Sequence, residues 1–316
     1  MLIALICAMF LASSPLLAAV DYDVRVPGEV EQSGGYSGAL NNTGVSFVEG
    51  SSATKINPAL LVETKQYVVS GSYHWPVAGR EYYEVGVVDG VTSKYVAGIS
   101  YNGYQEDYKI NWQNGYKDSS VMKRATVAMA LPLKYLAIGG SATYIEGFDV
   151  SGVELKERKA VTLGFGAYGK ITEYIKLGAS VQNFNNDSLR NTAPMTLRAG
   201  ASVNLFKGQF LVGLDYKQRQ RLSLNESSVL AAGDESLDYL NDDEKMTYLS
   251  SVVKVYDVVR LMGSYGLGVF GDTRKSASAG LGLAQGGYTF YYTIGKPYMS
   301  YKEYAHSVSL SFLMKM

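Results

Sequence analysis

The chain has 316 residues, with 29 basic and 29 acidic side chains. That balance excludes the large basic surface a nucleic-acid binder presents, so no nucleic-acid partner is expected. The one cysteine is Cys7, which leaves the rest of the chain without a thiol for a disulfide or a nucleophile.

Residues 1–19, MLIALICAMFLASSPLLAA, are apolar and uncharged and end in small residues. They predict a signal peptide cleaved near Ala18 or Ala19, although no basic residue precedes the apolar run. The run is short for a membrane helix. Residues 20–63 do not alternate and are rich in Gly, Asn and Ser, too Gly-rich to build a core of their own. Within them SSATKINPALL (51–61) reads as a turn followed by a helical start, with Asn57 as cap and Pro58 at the first helical position.

From residue 64 to 316 the dominant period is two. Val161, Leu163, Phe165 and Ala167 fall on one face of their segment, and Thr162, Gly164, Gly166 and Tyr168 on the other. Leu197, Ala199, Ala201 and Val203 oppose Arg198, Gly200 and Ser202 in the same way. Fourteen such segments are predicted: 64–75, 80–89, 92–104, 119–131, 133–145, 156–169, 172–183, 194–205, 207–217, 245–256, 258–269, 275–284, 286–295 and 304–315. Most run roughly 10–12 residues, the length a tilted strand needs to cross a bilayer. Connections alternate short and long, the long ones including 105–118, 146–155, 184–193 and 218–244, as outer-membrane barrels alternate inner turns and outer loops. Tyrosines near the strand ends, among them Tyr73, Tyr82, Tyr83, Tyr95 and Tyr135, suit interfacial girdles. The expected fold is therefore all-β: a transmembrane antiparallel β-barrel of about 14 strands in the bacterial outer membrane. Loop 218–244 is the longest, and its leucines suit a short helix over the barrel mouth.

Gly35-Tyr36-Ser37-Gly38-Ala39, followed by Asn57-Pro58-Ala59-Leu60 immediately before the first strand, resembles the N-terminal region of the FadL-type long-chain fatty acid transporters. The wider superfamily includes the shuttle barrel of type IX secretion. The resemblance implies a hatch, residues 20–63, folded into the lumen, with the turn Asn57, Pro58, Ala59 joining it to the wall. It implies passive uptake of hydrophobic or amphipathic small molecules. The alternative is a scaffold or shuttle barrel whose outer loops bind a protein. The chain is shorter than the transporters, with smaller outer loops.

A charge in mid-strand belongs in the lumen, since an exposed Arg or Lys at the bilayer centre costs about 2–4 kcal/mol. Candidate lumen residues for a ligand are Arg124, Arg198, Lys254, Arg260, Glu84 and Asp215, with Lys94 and Lys176 on the same inward face. Two roles suit them: holding a carboxylate head, or binding wall to hatch. The only histidines, His74 and His306, lie near outer strand ends, without metal-ligand spacing or an identifiable nucleophile. No enzyme activity, metal or cofactor is expected; the expected partners are membrane lipid and small hydrophobic molecules.

Overall fold

The computed structural model describes residues 35–77, 80–110, 116–151, 154–185, 193–220, 222–224, 239–241, 243–296 and 304–314. The expected leader and residues 20–34 of the hatch lie outside them. Fourteen strands close the barrel: β1 (Tyr67–Val77), β2 (Arg80–Asp89), β3 (Val96–Ile110), β4 (Tyr116–Pro132), β5 (Leu136–Ser151), β6 (Glu154–Lys170), β7 (Ile175–Gln182), β8 (Thr196–Leu205), β9 (Phe210–Arg219), then β12 (Glu244–Val255), β13 (Val259–Gly268), β14 (Lys275–Gln285), β15 (Tyr288–Lys296) and β16 (Ala305–Met314). Between β9 and β12 a small separate hairpin pairs β10 (Leu222–Leu224) with β11 (Tyr239–Asn241). Chain neighbours pair antiparallel, β9 pairs with β12, and β1 closes on β16 with Ser70 opposite Ser311 and Ser72 opposite Ser309.

The alternation decides which side faces what. Ile99, Val127 and Leu249 are 58%, 55% and 58% exposed on the outer face. Their strand neighbours Ser100, Thr126 and Ser250 are 0%, 2% and 0% exposed on the inner face. Apolar out and polar in is the reverse of a soluble barrel, and it suits a wall bathed in lipid. No helix of the described residues is long and apolar enough to cross a membrane.

Several sequence expectations change. Segments 105–118 and 146–155 are mostly strand, not loop: β3 and β4 stay paired up to Ile110 opposite Tyr116, and β5 and β6 up to Ser151 opposite Glu154. Beyond the membrane both faces of a strand are wet, so the hydrophobic alternation stops while the backbone ladder continues. Loop-length alternation is therefore not strict, since only residues 152–153 join β5 to β6. β7 is the opposite case. It stops at Gln182, where Asn183 takes a left-handed φ of 57°. The ends of loop 218–244 pair as β10 and β11; the short helix expected in this loop falls on residues 225–238, which lie outside those described.

The hatch fills the lumen near the rim of short turns. It runs through helical turns Gly35–Gly38 and Ala53–Ile56 and a 3₁₀ helix, Pro58–Glu63, before entering β1. Leu40, Val45, Val48, Ile56, Leu60 and Leu61 are fully or almost fully buried and form the main apolar core. They pack against wall residues close to the short turns, such as Val88, Ala130, Ala137 and Leu211. A hatch too Gly-rich for its own core thus borrows the barrel wall as the other half of one.

Candidate functional site

The joint between hatch and wall is built around Asn57, which has no exposed surface. Its extended backbone (φ −153°, ψ 101°) is the conformation a residue before proline prefers. Asn57 Oδ1 accepts the Ala59 N–H at 3.1 Å. Asn57 Nδ2 donates to Val45 O within the hatch at 2.7 Å and to Ala167 O on β6 at 3.0 Å. One amide therefore caps the 3₁₀ helix, braces a second hatch turn and fastens both to the barrel.

The wall opposite is shaped for this close approach. A methyl group added at Gly166 would collide with Asn57 Oδ1, at Gly139 with the Pro58–Ala59 peptide, and at Gly178 with Val45 O. These glycines stand on three adjacent strands, β5, β6 and β7, and form a smooth bed for the hatch backbone. Their paired register, Gly139 opposite Gly166, places two of them side by side.

The candidate charges mostly hold the hatch. Asp215, 2% exposed, accepts the Gly44 and Val45 N–H groups, each at 3.1 Å, and the charge of Arg198 acts on it. Glu84 pairs with hatch Lys55 at 2.6 Å, and Tyr82 donates to Glu84 Oε2 at 3.2 Å. Arg260 Nη1 donates to Tyr291 Oη at 2.8 Å and to hatch Glu49 at 3.4 Å. Lys176, with Lys170, binds Glu63 at the end of the hatch, at 3.1 and 2.9 Å. Burial pushes the Glu63 carboxyl up, but hydrogen bonds and charge from the two lysines outweigh it and hold it below its ordinary value. Arg124 lies on the inner face of β4 opposite Asn102, and Lys254 near the inner end of β12 opposite Arg260.

Two placements differ from expectation. Lys94 is not on the inward face of a strand; it lies exposed in the turn between β2 and β3, because β3 begins only at Val96. Tyr82 is not in a girdle; it points into the lumen, 3% exposed, edge-on to His74 at a centroid distance of 4.7 Å. His306 meets Tyr292 Oη at 2.8 Å through Nδ1, on the outer side of the wall, so the two histidines do not meet. Among the described residues no group of three His, Cys, Asp or Glu is placed to hold a metal.

Two sets of lumen residues escaped the sequence reading. Lys217 and Arg219 on β9 share Glu244 on β12, each 3.8 Å away, and all three are buried. They continue the parity of Asp215, a signal lost by ending the strand at 217 and starting the next at 245. Above the hatch, Met122 on β4 and Ile145 on β5 cluster with Ala193, packed against by Ala160. Met246 and Tyr248 are likewise buried on the inner face of β12. These apolar side chains, like Val88, Ala130 and Leu211 beside the hatch, interrupt an inner face rich in Ser, Thr, Gly and charge.

No protein-family model matches the chain, and no curated protein matches it. Solved structures do. The Ralstonia pickettii toluene transporter TbuX superposes with a TM-score of 0.61 at 15% identity, covering 91% of this chain and 100% of its own. The CymD monoaromatic hydrocarbon channel gives 0.65 at 14% identity, covering 92% and 98%. A Pseudomonas aeruginosa FadL homologue gives 0.55 at 11% identity, again covering 92% and 98%. At this level of identity the likeness concerns the fold, and it extends over nine-tenths of the chain: the barrel is built as those of the FadL homologue and the hydrocarbon channels are.

Proposed function

We propose that the protein is a channel of the bacterial outer membrane for passive uptake of small hydrophobic molecules, with the hatch closing its periplasmic end. The observation that carries this is the apolar group Met122, Ile145 and Ala193 set in a polar lumen on the outer side of the hatch. The group is packed in the closed lumen, so a solute would part its side chains to enter, gaining about 25 cal/mol for each Å² of apolar surface it then buries. The short turns are then periplasmic and the long loops external. The toluene and monoaromatic channels that share the fold support the same solute class.

The charges favour uncharged solutes over fatty acids. Glu84, Asp215, Arg198 and Arg260 are occupied with the hatch or with each other. A carboxylate head would have to displace one of these partners.

The test is uptake of dilute labelled toluene and of a long-chain fatty acid by cells with an intact outer membrane, with and without the protein. Toluene uptake should rise with expression and fall when Met122 and Ile145 are both replaced by Asn. Equal uptake with and without the protein refutes the channel and leaves the scaffold reading, in which external loops bind a protein.

A further inference from the structure

Lysines stand on the outward face of the wall near its long-loop end, and the two sides of the barrel treat them differently. On the β4–β6 side Lys123, Glu146 and Lys159 lie in one cross-strand row, and both lysines approach Glu146 Oε1, at 3.9 and 4.0 Å. A carboxylate stands between those two charges. On the β12–β15 side Lys245, Lys275 and Lys296 have no such partner. Among the described residues their ammonium groups make no ion pair and no hydrogen bond, and none of the three nitrogens is buried. The one contact is that of Lys296 with the ring of Tyr304, 4.7 Å from its centroid.

Parity and register bring the three together. Leu249 on β12, Leu281 on β14 and Tyr292 on β15 are exposed on the outward face, and the lysines share that face further toward the long loops. Lys296 pairs with Ala277, so Lys275 is its diagonal neighbour, a placement that sets residues roughly 7–8 Å apart. Thr247 and Lys275 both pair with Leu267 of β13, which puts the strand of Lys245 two spacings from Lys275, about 10 Å. The loop between β13 and β14 ties this together. Asp272 accepts the Lys245 N–H at 2.9 Å and the Arg274 N–H at 2.8 Å. Its charge is taken by Arg274 Nη1, at 2.9 Å, so it does not neutralise the lysines. The same loop holds Phe270 82% exposed and edge-on to Tyr216, with ring centroids 6.2 Å apart. Like charges on neighbouring strands repel, and an anion between them removes the repulsion.

We infer that this face binds the phosphorylated sugar headgroup of an anionic glycolipid in the outer leaflet. The lysines lie where the wall passes from hydrocarbon to headgroups, so the anion they meet belongs to a lipid. Basic clusters at a membrane surface gather anionic lipid, and ammonium groups hold phosphate oxygens as point charges. Three of them on neighbouring strands suit a headgroup that carries more than one phosphate. Its acyl chains would lie along Leu249, Leu267 and Leu281, with the ring of Phe270 among them. The inference rests on the long loops being external, and not on what crosses the lumen.

The test is native mass spectrometry of the full-length protein in a non-ionic detergent, titrated with lipid A, an acylated glucosamine disaccharide bearing two phosphates. Saturable binding is expected, at least tenfold tighter than that of the same glycolipid without its phosphates. Lys275→Gln combined with Lys296→Gln should weaken it at least tenfold, and Arg at both positions should restore it. Lys207→Gln, at an exposed lysine in a short turn at the other rim, should leave it unchanged. Equal binding of the dephosphorylated glycolipid overturns the inference. So does equal binding of phosphatidylglycerol, which would show only general attraction of anions, and so do equal losses in Lys207→Gln and the double variant. Placement is checked separately with Thr273→Cys in the β13–β14 loop, labelled on intact cells by a maleimide that cannot cross membranes. Labelling only after lysis puts this face at the inner leaflet and overturns the inference whatever the binding. A protein that binds lipid A through these lysines but takes up no toluene refutes the channel and keeps this site.

Discussion

Replacing Asn57 by alanine should open the hatch and leave the barrel closed. Alanine takes up the extended backbone before Pro58 without strain, so the effect belongs to the side chain. Three hydrogen bonds go: from Ala59 N–H, to Val45 O and to Ala167 O. Net contributions of about 1 kcal/mol each give roughly 3 kcal/mol. All three serve the hatch, so the loss falls on its local opening equilibrium and not on global unfolding. Since 1.4 kcal/mol is tenfold, hatch amides that exchange through this opening, such as those of Val48 and Leu60, should exchange about 100-fold faster. Wall amides such as those of Thr126 and Val127 should be unaffected. Asn57→Asp keeps the acceptor, loses both donors and turns a carboxylate toward two carbonyls, so it should be at least as damaging. Hydrogen exchange read by mass spectrometry on the folded barrel measures both. Hatch exchange within threefold of the parent refutes the reasoning, and so does equal acceleration of wall and hatch.

Gly166→Ala should displace the same turn, because its methyl group meets Asn57, whereas Gly140→Ala, whose nearest neighbour would be 3.9 Å away, should be silent in the same exchange measurement. Glu63 carries a pH dependence. Its carboxyl is held below its ordinary value, so the stability it contributes is present above a free glutamate's pKa and is lost as pH falls through the lowered folded value. Protection of the end of the hatch should fall across that acid window in the parent and stay flat in Glu63→Gln; a parent profile that is also flat there counts against the Lys170–Glu63–Lys176 bridge. Leu249→Arg, on the outer face, should cost about 2–4 kcal/mol in reversible unfolding from lipid vesicles; a change below about 0.5 kcal/mol would mean that this face does not meet lipid. Tyr256 is 92% exposed at the tip of a short turn and has a positive φ of 51°, where Asn or Gly would relieve strain. Insertion of the ring into the membrane interface would offset that cost, so Tyr256→Trp, with Trp75 and Trp112 replaced by Phe, should be shielded from iodide in vesicles. Quenching as strong as for free tryptophan excludes it.

Strand number and facing were readable in the chain because period-two alternation is a local property. Thr162 and Leu163 declare opposite faces of β6 with no knowledge of its neighbours. The Asn57-Pro58-Ala59 turn was readable for the same reason, since its cap and proline act within three residues. Strand ends above the membrane were not, because no hydrophobic contrast marks a strand that is wet on both faces. The partners of the lumen charges were equally hidden. Asp215 meets Gly44 across 171 residues of chain, and Lys55 meets Glu84 only because the hatch folds back inside its own wall. Parity places a charge in the lumen, but which group neutralises it depends on the height at which the hatch sits. That height is set by where the wall has glycines for the hatch to lie on, and by where wall side chains such as Ser70 meet it. Both depend on strand register around the closed barrel, which no single segment of the sequence contains.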